Sequence, residues 1–137
     1  MNFAAQPAST NLHGLLEGEL SEKVIGAAIE VHRHLGPGLL ESAYEQCMCH
    51  ELSSREIRFR RQVEIPVLYK GVALNCGYKL DILVEDRIVL ELKAIETILP
   101  VHEAQLLTYL RLSGKRVGFI LNFHVSQMRK GILRKVL

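Results

Sequence analysis

The sequence contains no tryptophan, and aromatic residues fill only 6% of its 137 positions, so no stacking platform for single-stranded nucleic acid stands out. Long apolar runs are missing too. The stretch from Val117 to Phe123 is interrupted by Gly118 and Asn122 and falls far below the roughly 18 residues that span a bilayer, which argues against a membrane segment. The first residues, MNFAAQPASTNLHG, have neither the cationic nor the apolar part of a secretory signal, so a cytoplasmic location is expected. Cysteine is sparse. Cys47, Cys49 and Cys76 have no C-x-x-C spacing and read as reduced thiols, implying neither zinc nor a disulfide. The histidines form no pair at a metal-binding spacing such as HExxH, and His102, the one nearest the candidate site below, reads as structural.

Acids are absent after Glu103, where Arg111, Lys115, Arg116, Arg129, Lys130, Arg134 and Lys135 follow. That asymmetry is compatible with a basic face meeting a phosphate backbone, and equally with charges that balance in three dimensions. Arg58, Arg60 and Arg61 join Lys115, Arg116, Arg129 and Lys130 as candidate backbone contacts, of the kind that position nucleic acid without reading its sequence.

What is present fits one ordinary domain: 48% hydrophobic and 23% charged residues in a chain long enough to bury a core. Residues 1–18 lack periodicity and are expected to be a flexible tail, leaving 19–137 as the domain. Leu20, Val24, Ala27, Ala28, Val31 and Leu35 recur at helical spacing, and 36-GPG-38 should stop that helix. A second helix is expected from about Leu39 to Ser54, burying Leu40, Tyr44, Cys47, Met48 and Leu52. The period then changes, and strands over 62–69, 73–84 and 87–94 should form an antiparallel meander, with Pro66 putting the first at a sheet edge or its nitrogen away from a partner. A helix after Pro100 buries Ala104, Leu107, Leu110 and Leu112 and ends near Gly114. A strand at 116–123 can then join the sheet in parallel, before a helical turn and a short final strand. The architecture expected is α/β with a mixed sheet, helices flanking four to five central strands.

The candidate chemistry lies in 81-DILVEDRIVLELKA-94. Alternation puts Val89, Glu91 and Lys93 on one strand face, and Lys79, Asp81 and Leu83 on one face of the strand before. Two carboxylates converging beside an amine suit a hard divalent cation such as Mg²⁺. The convergence depends on register. A two-residue turn at Glu85-Asp86 sends Asp81 and Glu91 to opposite faces, so the site requires a three-residue connection, Glu85-Asp86-Arg87, or a bulge. Glu-x-Lys alone is also a common pairing on an exposed strand.

The order of elements and the residues Asp81, Glu91 and Lys93 resemble the PD-(D/E)XK nuclease superfamily, with Leu80 where the proline of that name would stand. A closer resemblance is to the small bacterial GxxExxY proteins, through 38-GLLESAY-44, 69-YKG-71, 91-ELKA-94 and 102-HEAQLLTYL-110. The resemblance implies a restriction-endonuclease-like core and a nuclease hydrolysing phosphodiester bonds, with DNA the expected substrate. It further implies Mg²⁺ or Mn²⁺ held by Asp81, Glu91 and Glu41, Lys93 positioning the attacking water, and Gln105 completing the site. By analogy a homodimer is open. The alternative is a nucleic-acid-binding or interaction module on the same fold that does not cut. Tyr44 reads as a packing residue with a hydrogen-bonded hydroxyl.

Overall fold

The computed structural model describes Gln6, Pro7, Leu12 and residues 14–137. Most of the expected tail lies outside the described residues. In chain order the elements are β1 (Gln6–Pro7), α1 (Gly18–Leu35), α2 (Glu41–Ser54), β2 (Phe59–Glu64), β3 (Val67–Tyr69), β4 (Val72–Leu74), β5 (Lys79–Val84), β6 (Ile88–Lys93), α3 (Pro100–Ser113), β7 (Val117–Asn122) and β8 (Ile132–Val136). A 3-10 turn at Met128–Gly131 precedes β8. No helix among the described residues is long and apolar enough to cross a membrane.

Six strands form one mixed sheet in the order β1-β8-β7-β6-β5-β2, of which β1 is only two residues long. The helix between β6 and β7 lets those two strands run parallel, while every other pair in the sheet is antiparallel. The expected meander is present as β2, β5 and β6, with β2 at the sheet edge and Pro66 just beyond its end. Two of its strands are shorter than expected. Pro66 has no N–H to continue the ladder, so 62–69 divides into β2 and β3. Residues 73–84 divide at Gly77, whose N–H bonds Asn75 Oδ1 at 3.1 Å. The pieces released, β3 and β4, pair only with each other in a small separate hairpin.

Apolar residues pack on both faces of the sheet. Ile82, Val84, Ile88, Leu90, Leu92, Phe119 and Leu121 meet α1 and α2, and Leu83, Val89 and Ile120 meet Leu106 and Leu110 of α3. In α2 the buried row is Tyr44, Met48 and Leu52, with Glu45 and Cys49 beside it. Leu40 does not belong to it: it precedes the helix in extended conformation and is 76% exposed. In α3 only Leu106 and Leu110 are buried, because the helix touches the sheet along one row. A Cβ on Gly118 would stand 2.8 Å from Leu106 Cδ1, so the missing side chain is what lets α3 sit this close to β7. Ala104, expected in the core, is exposed at a cleft beside that row, while Leu107 and Leu112 are half-buried against it.

Strand register sorts the sheet into two ends. Ile88 pairs Val117 and Lys93 pairs Asn122, while Leu121 pairs Ile132. The β5–β6 turn, Lys115 and Arg116 therefore share one end. Lys93, Asn122 and the Met128–Gly131 turn share the other.

Candidate active site

The register on which the site depends is fixed by the β5–β6 turn. Val84 pairs Ile88, Leu83 pairs Val89 and Ile82 pairs Leu90, leaving Glu85, Asp86 and Arg87 as a three-residue connection. The same register sets Asp81 opposite Glu91. Glu85 and Asp86 both have positive φ, 51° and 57°, and Arg87 N–H closes on Val84 O at 2.9 Å. Non-glycine residues seldom adopt that conformation, and here surrounding contacts hold it. Glu85 accepts Arg58 N–H at 2.9 Å and the Arg58 guanidinium at 3.0 and 3.2 Å, while Asp86 meets Arg60 at 3.0 Å and Lys115 at 3.3 Å.

Asp81 and Glu91 are bonded to each other's strands. Asp81 Oδ2 accepts Leu92 N–H at 2.9 Å, and Glu91 Oε1 accepts Asp81 N–H at 3.3 Å. Glu91 is only 8% exposed. Burial first, then the Asp81 charge, pushes its carboxyl up to about 8. Burial also raises Asp81, further raised by Glu45 and Glu41 and opposed by the Leu92 N–H and Lys93. Lys93 lowers both acids, so its ammonium lies within electrostatic reach of each, and it makes no ion pair among the described residues. Two desolvated carboxylates that resist ionising together, with one ammonium near them, present the oxygen donors a hard cation takes.

Glu41 stands at the start of α2 and bonds Ala94 N–H, 3.3 Å away, at the end of β6. It raises the carboxyls of both Asp81 and Glu91, yet its own oxygen is turned to that backbone. Among the described residues no three of His, Cys, Asp and Glu are gathered closely enough to hold a metal ion. The donor chemistry nonetheless fits Mg²⁺, which is usually bound through one or two carboxylates plus water and substrate phosphate. Tyr44 is fully buried and stacks on Phe123 with centroids 4.5 Å apart. Its hydroxyl donates to Gly36 O and accepts Leu39 N–H, fastening the Gly-Pro-Gly corner over α2 and so placing Glu41.

Two residues near the site carry no motif signal in the sequence. Glu45, buried on α2, accepts Arg61 through Nε at 3.0 Å and a terminal nitrogen at 2.6 Å, and Gln62 Nε2 at 2.9 Å. Gln62 has φ 51° in mid-strand. The β2–β5 ladder pairs Arg61 with Ile82 and Val63 with Leu80, skipping the rung at which Gln62 faces Asp81. Leu80 and Leu83, three apart, both pack toward α3, so alternation along β5 breaks at that rung as well. The sequence places Glu45 one turn beyond Glu41 on the same helix, but an amphipathic pattern gives no hint of the partners that turn it inward.

The structure sets Asp81, Glu91 and Lys93 near one another at one end of the sheet, with Glu41 close enough to act on both carboxyls but bonded to Ala94 N–H and not gathered with them. Gln105 is exposed on α3, in the cleft beside Tyr109. His102 Nδ1 accepts Leu99 N–H at 2.9 Å, closing the first turn of α3. The cations scatter. Arg58, Arg60 and Lys115 clamp the β5–β6 turn, and Arg116 Nε donates to Leu137 O at 3.1 Å, all at the end away from Lys93. Arg61 is held by Glu45. Arg129 and Lys130 are exposed at the Lys93 end.

A mixed sheet whose central antiparallel pair sets Asp81 across from Glu-x-Lys, with helices on both faces, is a restriction-endonuclease-like fold. The family model of the PD-(D/E)XK nuclease superfamily matches residues 18–135, and the chain belongs to that superfamily. Searches of curated proteins and of solved structures gave no match.

Proposed function

We propose that this protein is a divalent-metal-dependent nuclease, a GxxExxY-type member of the superfamily, that hydrolyses phosphodiester bonds in nucleic acid, with DNA as the substrate. One observation carries the reading: the three-residue turn that faces Asp81 to Glu91 with Lys93 beside them. Asp81 and Glu91 would hold Mg²⁺ or Mn²⁺, with Glu41 turning from Ala94 N–H to a water of its shell. A bound ion of this kind polarises a phosphoryl oxygen and acidifies a coordinated water. Lys93, free of an ion pair among the described residues, is the group that orients the attacking water and steadies the charge that gathers on the phosphate. The raised carboxyls support a cation here, since a positive charge relieves the repulsion that burial amplifies.

The test incubates the protein with linear, circular and branched DNA and with RNA, in Mg²⁺ or Mn²⁺ and against EDTA. Cleavage should appear with metal alone and fall at least a hundredfold in Asp81→Asn and Lys93→Ala, each checked for folding by circular dichroism. Salt-sensitive binding without cleavage would leave a non-cutting module. Unchanged cleavage in both variants would move the chemistry elsewhere.

A further inference from the structure

Val67 of β3, Tyr78 and one side of α3 border a cleft of about 360 Å³, with Val101, Gln105, Thr108 and Tyr109 among the helix residues that line it. Tyr78 and Tyr109 are far apart in sequence, yet their ring centroids lie 6.0 Å apart at 59°. The cleft lies beside the strands of the acid pair: Tyr78 is three residues before Asp81 on the approach to β5, and Tyr109 packs against the cluster of Leu80, Leu83 and Val89, each one or two residues from Asp81 or Glu91. Burial first, then Glu91, Tyr78 and Asp81, hold the Tyr109 hydroxyl above the ordinary phenol range. Gln105, one helical turn before Tyr109, makes no hydrogen bond among the described residues and offers an amide donor and acceptor.

None of the lining side chains carries a charge, so the cleft offers a phosphate no counter-ion. The sparse aromatics show no stacking platform in the sequence, yet the fold brings Tyr78 and Tyr109 together as a tilted pair, and a flat neutral ring with a polar edge is what an aromatic surface, apolar walls, an amide and a hydroxyl recognise. A base inside a duplex has both faces stacked and its pairing edge occupied, and cannot enter without being extruded. We propose that the cleft receives an unpaired nucleobase adjoining the phosphate held at Asp81 and Glu91, so that the substrate is single-stranded or has a single-stranded tail. This inference rests on the nuclease reading above.

The experiment compares labelled single strands, blunt duplexes and tailed duplexes. Binding is measured on Lys93→Ala protein in Mn²⁺ so that the strand stays whole, and cleavage on protein with Lys93 intact. With four tyrosines and no tryptophan, tyrosine emission reports stacking directly. Single-stranded and tailed molecules should bind at least tenfold more tightly than blunt duplex and quench that emission. Tyr78→Ala and Tyr109→Ala should each abolish about tenfold of the preference, while Tyr109→Phe keeps it and Mn²⁺ stabilisation is unchanged in all three. Cleavage of duplex and single strand alike, unaltered by the tyrosine changes, overturns the cleft and leaves the nuclease standing. Failure of every nucleic acid to be bound or cut overturns both. A dimer that Tyr78→Ala splits, with no change in strand preference, reassigns the cleft to a second copy of the chain and also overturns the proposal.

Discussion

At Glu91 the proposed metal binding and the stability of the fold pull against each other. Its ordinary pKa is 4.5 and its folded value about 8, so between those limits the folded protein holds a proton that the unfolded chain has released. Stability from this group is therefore complete below about pH 4.5, falls as pH rises and is lost once pH passes about 8. Each pH unit inside the window costs about 1.4 kcal/mol per proton. Asp81 is shifted in the same direction and steepens the effect at the lower end. Thermal melts in EDTA should show the protein losing stability from pH 5 to 8, with a shallower loss in Glu91→Gln. Adding Mn²⁺ should stabilise more at pH 8 than at pH 5, because less of the proton on Glu91 then has to be displaced. Parallel pH profiles for the native and Glu91→Gln proteins would mean that Glu91 is not carrying the buried proton.

Elements explain how much of this was readable in the sequence. Helical spacing located α1, α2 and α3, since a stripe at three and four is imposed by burial on one side. The three-residue turn was deducible as a condition, because a side-chain period of two makes register and face the same question. Which turn forms was not deducible, for its acids meet Arg58, Arg60 and Lys115, distant residues that read as phosphate contacts until their acid partners come into view. The inward turn of Glu45 was equally hidden, as its partners Arg61 and Gln62 reach it from another strand.

Gly131 is a further case of a contact invisible in the pattern. At the last residue of the 3-10 turn, directly before β8, a Cβ would stand 1.9 Å from Asn122 O, a backbone atom that cannot swing aside. Asn122 is itself a brace, its amide bonding Ile95 N–H at 3.1 Å and Ile95 O at 2.9 Å just past Lys93. Gly131→Ala should cost about 1–3 kcal/mol by forcing β7 and β8 apart, measured by urea unfolding. Because the brace moves with the strand, Mn²⁺ stabilisation should drop as well. A variant as stable as the native protein would show that the two strands are not held this closely.

For the whole molecule, net charge is a poor guide and the placement of each cation a better one. The +2 total conceals a basic C-terminal third, yet Arg58, Arg60 and Lys115 are engaged with the turn acids at the end away from Lys93. Lys135 is likewise buried against Glu103 at 2.9 Å. Arg129 and Lys130 differ in both respects: they are exposed, and the register of β7 and β8 puts them at the end of the sheet that carries Lys93. A phosphate backbone crossing Asp81 and Glu91 would continue toward them. Each backbone contact releases counter-ions, so the slope of log affinity against log salt counts the contacts. Arg129→Ala and Lys130→Ala should each weaken binding of every sequence alike and reduce the slope by about one. Arg58→Ala and Arg60→Ala should leave the slope unchanged and lower the melting temperature instead, by loosening the turn that fixes the register. If the slope responds to the second pair and not the first, the strand runs toward the opposite end of the sheet, past the β5–β6 turn.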